Sequence, residues 1–224
     1  MDILRSESIA FQPDMPALMK RLHVRSADAV ELERMVEGAV AIAQPRYFYG
    51  QTFVSEKGER SIVVEGRRFE SRILRVNLDR TDRLFPFVCT CGMELEEWGG
   101  QFDDMLLGFW AEAIKEDALR AALDAFFAHL AQRYRTGHVS TMSPGSLEDW
   151  PISEQTPLFD LLGNPAEVKL TESMLMVPTK SVSGIVFPTN ESFESCQLCP
   201  REACPNRRAP YDETLYEREY CPAA

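Results

Sequence analysis

No stretch of the chain approaches the ~18 consecutive apolar residues that a membrane-spanning helix needs, so nothing in it is expected to cross a bilayer. Positive charge is scarce. The 24 Lys and Arg residues face 35 Asp and Glu, a formal net charge of −11, and this argues against nucleic acid, whose phosphates need a basic patch. Histidine is scarcer still: His23, His129 and His138 are the only three, and none has metal-protease spacing. There is no Gly-x-Ser-x-Gly elbow, and Gly92, Gly99, Gly100 and Gly108 are wrongly spaced for a phosphate loop or dinucleotide fingerprint, which leaves hydrolase and kinase chemistry without residues to carry it. Internal repeats and low-complexity segments are also missing. The opening residues Met1 to Glu7 lack a basic segment followed by an apolar block, so no secretory signal is read there and the expected compartment is the cytoplasm.

What remains is the composition of a globular chain. It has 224 residues, 45% of them hydrophobic, enough for one large domain or two small ones. Residues 26–43 have helical spacing, with Ser26 as N-cap and Val30, Met35, Val36, Val40 and Ile42 on the apolar side. From Arg46 to Phe69 the pattern is β, with turns at Lys57-Gly58-Glu59 and Glu65-Gly66. Residues 85–91 read as a further strand whose Pro86 predicts a strand start or an edge. A helical region covers roughly 93–134, with Lys115-Glu116-Asp117 as a break or a solvated turn; Glu94, Glu96, Glu97, Glu112 and Glu116 read as solvated helix charges. Residues 136–157 are turn-rich. Residues 169–177 and 181–187 then read as two strands joined by a bend at Pro178-Thr179-Lys180. The fold class expected is α+β: a mixed or antiparallel sheet packed on a long helical layer, with a small Cys-rich C-terminal module. The boundaries are 1–187 for the main domain and 188–224 for the tail.

The six cysteines fall into two groups. Cys196, Cys199, Cys204 and Cys221 follow a C-x2-C-x4-C-x16-C spacing, with Pro200 and Pro205 directly after two of them. Three thiolates within nine residues, closed by a fourth, suit either an iron–sulfur cluster or structural zinc. Arg201, Arg207 and Arg208 offset the charge of such a centre. Cys89 and Cys91 lie two apart on a strand and so face one way, as small core residues or as a redox or ligand pair. On strand 169–177, alternation puts Leu170, Glu172, Met174 and Met176 on one face. Glu172 is then either a carboxylate among apolar neighbours that needs a partner, or an edge residue reaching water. Gly184 leaves room for close approach of a ligand or of another backbone.

The block Leu170-Thr-Glu-Ser-Met-Leu-Met-Val-Pro-Thr-Lys-Ser-Val-Ser-Gly184 resembles the activation domain of cobalamin-dependent methionine synthase. That family carries Leu-Thr-Glu-Ser, a Met-x-Pro bend and Ser-Val-Ser-Gly in the same order. Ser143-Pro144-Gly145 followed by Trp150-Pro151, and Thr90-Cys91-Gly92-Met93-Glu94-Leu95-Glu96, are similar to its free-standing members, so the likeness covers about residues 85–187. The resemblance implies reactivation of a corrinoid methyltransferase by reductive methylation of cob(II)alamin with S-adenosylmethionine. The cobalamin sits on a partner protein, because this chain has no Asp-x-His-x-x-Gly motif. The partners implied are a corrinoid methyltransferase or corrinoid protein and an electron donor such as a flavodoxin or ferredoxin. Pro144, Gly145, Glu172, Ser173, Ser181, Ser183 and Gly184 are the residues expected to line the ligand or corrinoid-facing groove.

The family's Arg-x-x-x-Gly-Tyr signature departs here. The matching stretch is Thr141-Met142-Ser143-Pro144-Gly145-Ser146, so the Arg and Tyr positions hold Thr141 and Ser146. Losing a charge-assisted carboxylate contact costs about 1.5–3 kcal/mol of binding, and Lys180 and Arg135 are the candidate replacements. The alternative function is a non-catalytic adaptor with a structural zinc tail that docks on a corrinoid protein and binds no S-adenosylmethionine.

Overall fold

The β-prone stretches of the chain pair into one eight-stranded sheet in which every pairing is antiparallel. The computed structural model describes residues 1–7, 9–189, 193–204 and 207–221. In chain order the elements are β1 (Ile3–Arg5), α1 (Met15–Leu22), α2 (Ala29–Ile42), β2 (Arg46–Gly50), β3 (Thr52–Lys57), β4 (Ser61–Val64), β5 (Arg67–Glu70), α3 (Arg72–Asn77), β6 (Arg83–Thr90), α4 (Met93–Gly99), α5 (Met105–Tyr134), β7 (Val139–Met142), α6 (Gln155–Leu161), β8 (Lys169–Leu170), β9 (Met176–Val177) and β10 (Ser181–Pro188). β6 is the centre of the sheet. It pairs with β2 and then β3 along one edge, in one continuous register, and with β10 along the other; β10 in turn pairs with β7.

Alternation along β6 divides the molecule into two cores. Phe85, Phe87 and Cys89 face a layer of α1, α2 and α5, where Leu18, Leu32, Trp110 and Phe126 are buried. Leu84 and Val88 face the opposite side with Phe48 and Ile185, under Leu74 of α3 and Phe159 of α6. Phe193, Leu215 and Tyr220 of the C-terminal segment belong to this second core, and Arg72 Nε donates to the Tyr220 carbonyl at 3.1 Å. Tyr49 on the first face donates to or accepts from His129 Nε2 at 2.7 Å, which ties the sheet to α5. Among the described residues no helix is long and apolar enough to cross a membrane.

Several local expectations change. The helix expected over 26–43 begins at Ala29 after Asp28, and Val30, placed on its apolar side, is 63% exposed, while Leu32 takes the inward position. Pro86 lies within the central strand rather than at its start or at an edge. The ladder on one side of β6 is interrupted between β2 and β3 just there, where proline has no N–H to offer. The helical region breaks at residues 100–104, not at Lys115-Glu116-Asp117. Asp104 caps the new helix, its Oδ1 accepting from Leu106 N at 2.9 Å and Leu107 N at 3.0 Å.

The strand expected over 169–177 is instead a short hairpin of β8 and β9. Thr171 N donates to the Leu175 carbonyl at 2.9 Å, Thr171 Oγ1 accepts from Leu175 N at 3.0 Å, and Met174 takes a left-handed φ of 63°. A threonine that bonds its own loop folds the chain back where alternation alone would continue it. Glu172 is therefore neither on an inward face nor among apolar neighbours. It is exposed at a hairpin tip, as is Ser173.

Candidate functional site

β10 carries three of the seven residues expected to line a groove, Ser181, Ser183 and Gly184. Its pairing sets Ser181 opposite Thr90, Ser183 opposite Val88, and Ile185 opposite both Pro86 and Met142. β7 ends at Met142, so the Ser143-Pro144-Gly145 turn leaves the sheet beside Gly184. There the backbones come very close: a Cβ on Gly184 would collide with the Met142 carbonyl oxygen and lie 2.9 Å from Ser143 Oγ. Gly184 thus serves close approach of another backbone, one of its two expected roles.

The turn itself is pinned from three directions. Gly145 N donates to the Trp150 carbonyl at 2.7 Å, and Gly145 has φ 82°, with Ile152 Cδ1 2.6 Å from where its Cβ would stand. Asp149 accepts from Ser71 Oγ at 2.6 Å and Ile73 N at 2.9 Å, which anchors the turn to the start of α3. The hairpin tip bearing Glu172 and Ser173 reaches the same region from the other side, since Thr156 Oγ1 lies 3.5 Å from Met174 Sδ. Residues 152–156 therefore stand between the two loops. Ile152 and Leu175 are 46% and 52% exposed there. Both were missed in the sequence, where the only signal is an unpaired apolar residue in each of two turns.

Ser181 is buried, with Oγ donating to the Pro178 carbonyl at 2.7 Å and within 2.9 Å of Thr90 Oγ1. Ser183 Oγ is buried and has no hydrogen-bond partner among the described residues, an orphan polar atom on the face of β10 shared with Val88. The two candidate cations differ. Arg135 stands at the C-terminal end of α5, before β7, and so at the far end of that strand from Pro144. Lys180 directly precedes Ser181 and is 3.0 Å from Glu112.

That ion pair belongs to a larger cluster behind the bend. Lys115, buried in α5, is 2.9 Å from Glu96 and 2.6 Å from Glu112. Glu96 accepts from Thr179 N at 3.2 Å and Thr179 Oγ1 at 3.0 Å. Burial opposes the charge on Lys115, but its contacts with Glu112 and Glu96 outweigh it and raise its pKa. Glu96 and Glu112, expected as solvated helix charges, are thus the acidic half of a cluster that ties the Thr179-Lys180 bend to α4 and α5.

The cysteines do not form a ligand shell. Among the described residues no group of three or more His, Cys, Asp or Glu side chains could hold a metal, so Cys196, Cys199, Cys204 and Cys221 are not brought together as their spacing predicts. The centre of the loop is taken by Arg207. Its guanidinium donates to the carbonyls of Cys196 at 2.9 Å, Cys199 at 3.0 Å and Ala209 at 3.1 Å, and to that of Arg201. Backbone carbonyls of the loop thus converge on one guanidinium. Cys89 and Cys91 are wholly buried in the first core. Burial pushes the Cys89 thiol well up and the Cys91 thiol up to about 12, against the nearby Lys115 charge, which is the state of core residues rather than reactive ones.

An antiparallel sheet between helical layers, with β7, the Pro144-Gly145 turn and β10 at one end, defines the class. Residues 132–197, which contain β7, that turn and β10, match the family described as vitamin B12 dependent methionine synthase, activation domain. The chain shares its fold with a solved MetH reactivation domain bound to AdoHcy, at a TM-score of 0.64 and 15% identity, over 87% of this chain and 81% of that one. A search of the curated proteins finds no match.

Proposed function

We propose that this protein reactivates a corrinoid-dependent methyltransferase of the methionine synthase type, using S-adenosylmethionine as methyl donor. The observation that carries the reading is the coincidence of the activation-domain match over residues 132–197 with the one place where β7, β10 and two loops converge. The solved relative was crystallised with AdoHcy, the product such a transfer leaves.

The site offers the donor the turn at Ser143-Pro144-Gly145, brought close to β10 by Gly184, and the exposed carboxylate of Glu172 with Ser173 beside it. Ile152 and Leu175 supply apolar surface for an adenine ring. Lys180 is the cation for the ligand carboxylate, because it adjoins Ser181 and Arg135 does not. The reaction is an electron transfer followed by a methyl transfer: the partner's cob(II) corrinoid would gain one electron from a donor such as a flavodoxin or ferredoxin, and the electron pair of the resulting cob(I) would form the bond to the methyl group as the S–CH3 bond breaks with its pair left on sulfur. This chain holds the donor with its methyl group toward the partner, so its contribution is position and orientation. No step runs through the cysteine tail.

The adaptor reading is favoured by Thr141 and Ser146 standing where the family has Arg and Tyr. A calorimetric titration with S-adenosylhomocysteine separates the two. Saturable binding in the micromolar range is expected, weakened severalfold in Lys180→Ala; silence at millimolar ligand would establish the adaptor.

A further inference from the structure

The first turns of α5 carry large apolar side chains that no described residue covers. Met105 is 90% exposed, Phe109 59% and Leu106 50%. They cannot turn inward, because the opposite side of the same turns is committed: Leu107 packs against the first core and Trp110 is buried in it. Asp104 fixes the start of the helix through the amides of Leu106 and Leu107, so the three side chains are held on a rigid element. Every charged residue of the segment 93–112 that carries them is acidic, and the cations met at its far end, Lys115 and Lys180, are already paired with Glu96 and Glu112. Glu97 and Asp103 have no ion-pair partner among the described residues.

We propose that this apolar knob is the docking surface for the corrinoid-bearing partner protein, and that the partner meets it with an apolar pocket edged by Lys and Arg. The inference rests on the reactivation reading above. Charge selects the kind of partner. A second copy of a chain with net charge −11 would bring the same acidic collar against itself, whereas a basic rim is drawn in. Continuity selects which basic partner. Glu112 lies one helical turn beyond Phe109 and is bonded to Lys180, the residue that leads into Ser181, Ser183 and Gly184. A protein seated on the knob is therefore held beside the end of the sheet where the methyl donor is expected.

The test uses the full chain and a cob(II)alamin-loaded corrinoid protein that lacks an activation domain, with affinity and association rate read by surface plasmon resonance. Met105→Ala/Phe109→Ala is expected to weaken binding about tenfold or more, as central apolar anchors do, with an unchanged thermal midpoint and unchanged S-adenosylhomocysteine binding. Glu97→Gln/Asp103→Asn is expected to slow association and flatten its salt dependence with little effect on dissociation. Wild-type binding that both variants retain in full overturns this surface and leaves the reactivation reading standing. A wild-type chain that fails to bind the corrinoid protein overturns both.

Discussion

Gly184→Val is expected to destabilise the protein by about 2–3 kcal/mol, the upper range for overpacking a filled site, which lowers the thermal midpoint by roughly 5–10 °C at this chain length. The reason is that one of the atoms in the way cannot move alone. A Cβ at position 184 meets the Met142 carbonyl oxygen, the Ser143 Oγ at 2.9 Å and the Phe87 ring at 3.1 Å. The serine can change rotamer; the carbonyl belongs to the β7–β10 pairing and moves only with the strand. Gly184→Ala is expected to cost less but to remain clearly destabilising, and adding Ser143→Gly should recover only part of the loss. Thermal unfolding of the three variants checks this. A Gly184→Ala midpoint equal to wild type would show that the two strands are not in the close contact described.

Lys115→Met should be comparably severe, by about 2–3 kcal/mol. Removing one partner of a buried pair leaves the other charge stranded, and that is usually costlier than the pair is worth. Here the stranded group is Glu96, whose side chain is 19% exposed and which also holds the Thr179 amide and hydroxyl. The figure is below the usual range because Glu112, the other acidic partner, is 46% exposed and can be rescued by water and by Lys180. Lys115→Met/Glu96→Gln should recover at least half of the loss, since no charge is then left without a partner. A double variant as unstable as the single one would mean that Lys115 acts through packing alone. The cluster also has a pH signature. Burial opposes ionisation of Glu112, but Lys115 and Lys180 outweigh it and hold its carboxyl below the ordinary 4.5. A group depressed in the folded state adds stability that is complete above its unfolded value and is lost as pH falls through its folded one. The advantage of wild type over Glu112→Gln should therefore fade only below about pH 4.5.

How much of this was legible in the sequence depends on how local the deciding contact is. The turn at Glu65-Gly66 and the strands around it are set by neighbouring residues, and both turn residues do take left-handed φ, 48° and 74°. The adjacency of Pro144-Gly145 to Ser181–Gly184 is long-range, and it was reachable only through the resemblance. Residues 169–177 misled because their alternation is a strand pattern, while the contact that decides against it is one threonine side chain bonding four residues ahead. Lys115-Glu116-Asp117 reads as a break or a solvated turn because three charged residues separate two apolar stripes, yet Lys115 is buried, at a cost it would bear in full if isolated. The two carboxylates that offset that cost come from α4 and from the preceding turn of α5, and composition cannot bring them together. The tail differs again. Spacing brings the thiols near one another along the chain, but it cannot show that the Arg207 guanidinium ties the Cys196 and Cys199 carbonyls together.

The central claim is that this chain presents the methyl group of S-adenosylmethionine to a corrinoid held by another protein. The most direct test incubates S-adenosylmethionine carrying an isotopically labelled methyl group with a cob(II)alamin-loaded corrinoid protein and a one-electron donor, with and without this protein. The account expects label on cobalt and one equivalent of S-adenosylhomocysteine per labelled corrinoid, both dependent on the protein. Label that stays on sulfur while the protein is bound to its corrinoid partner would contradict it.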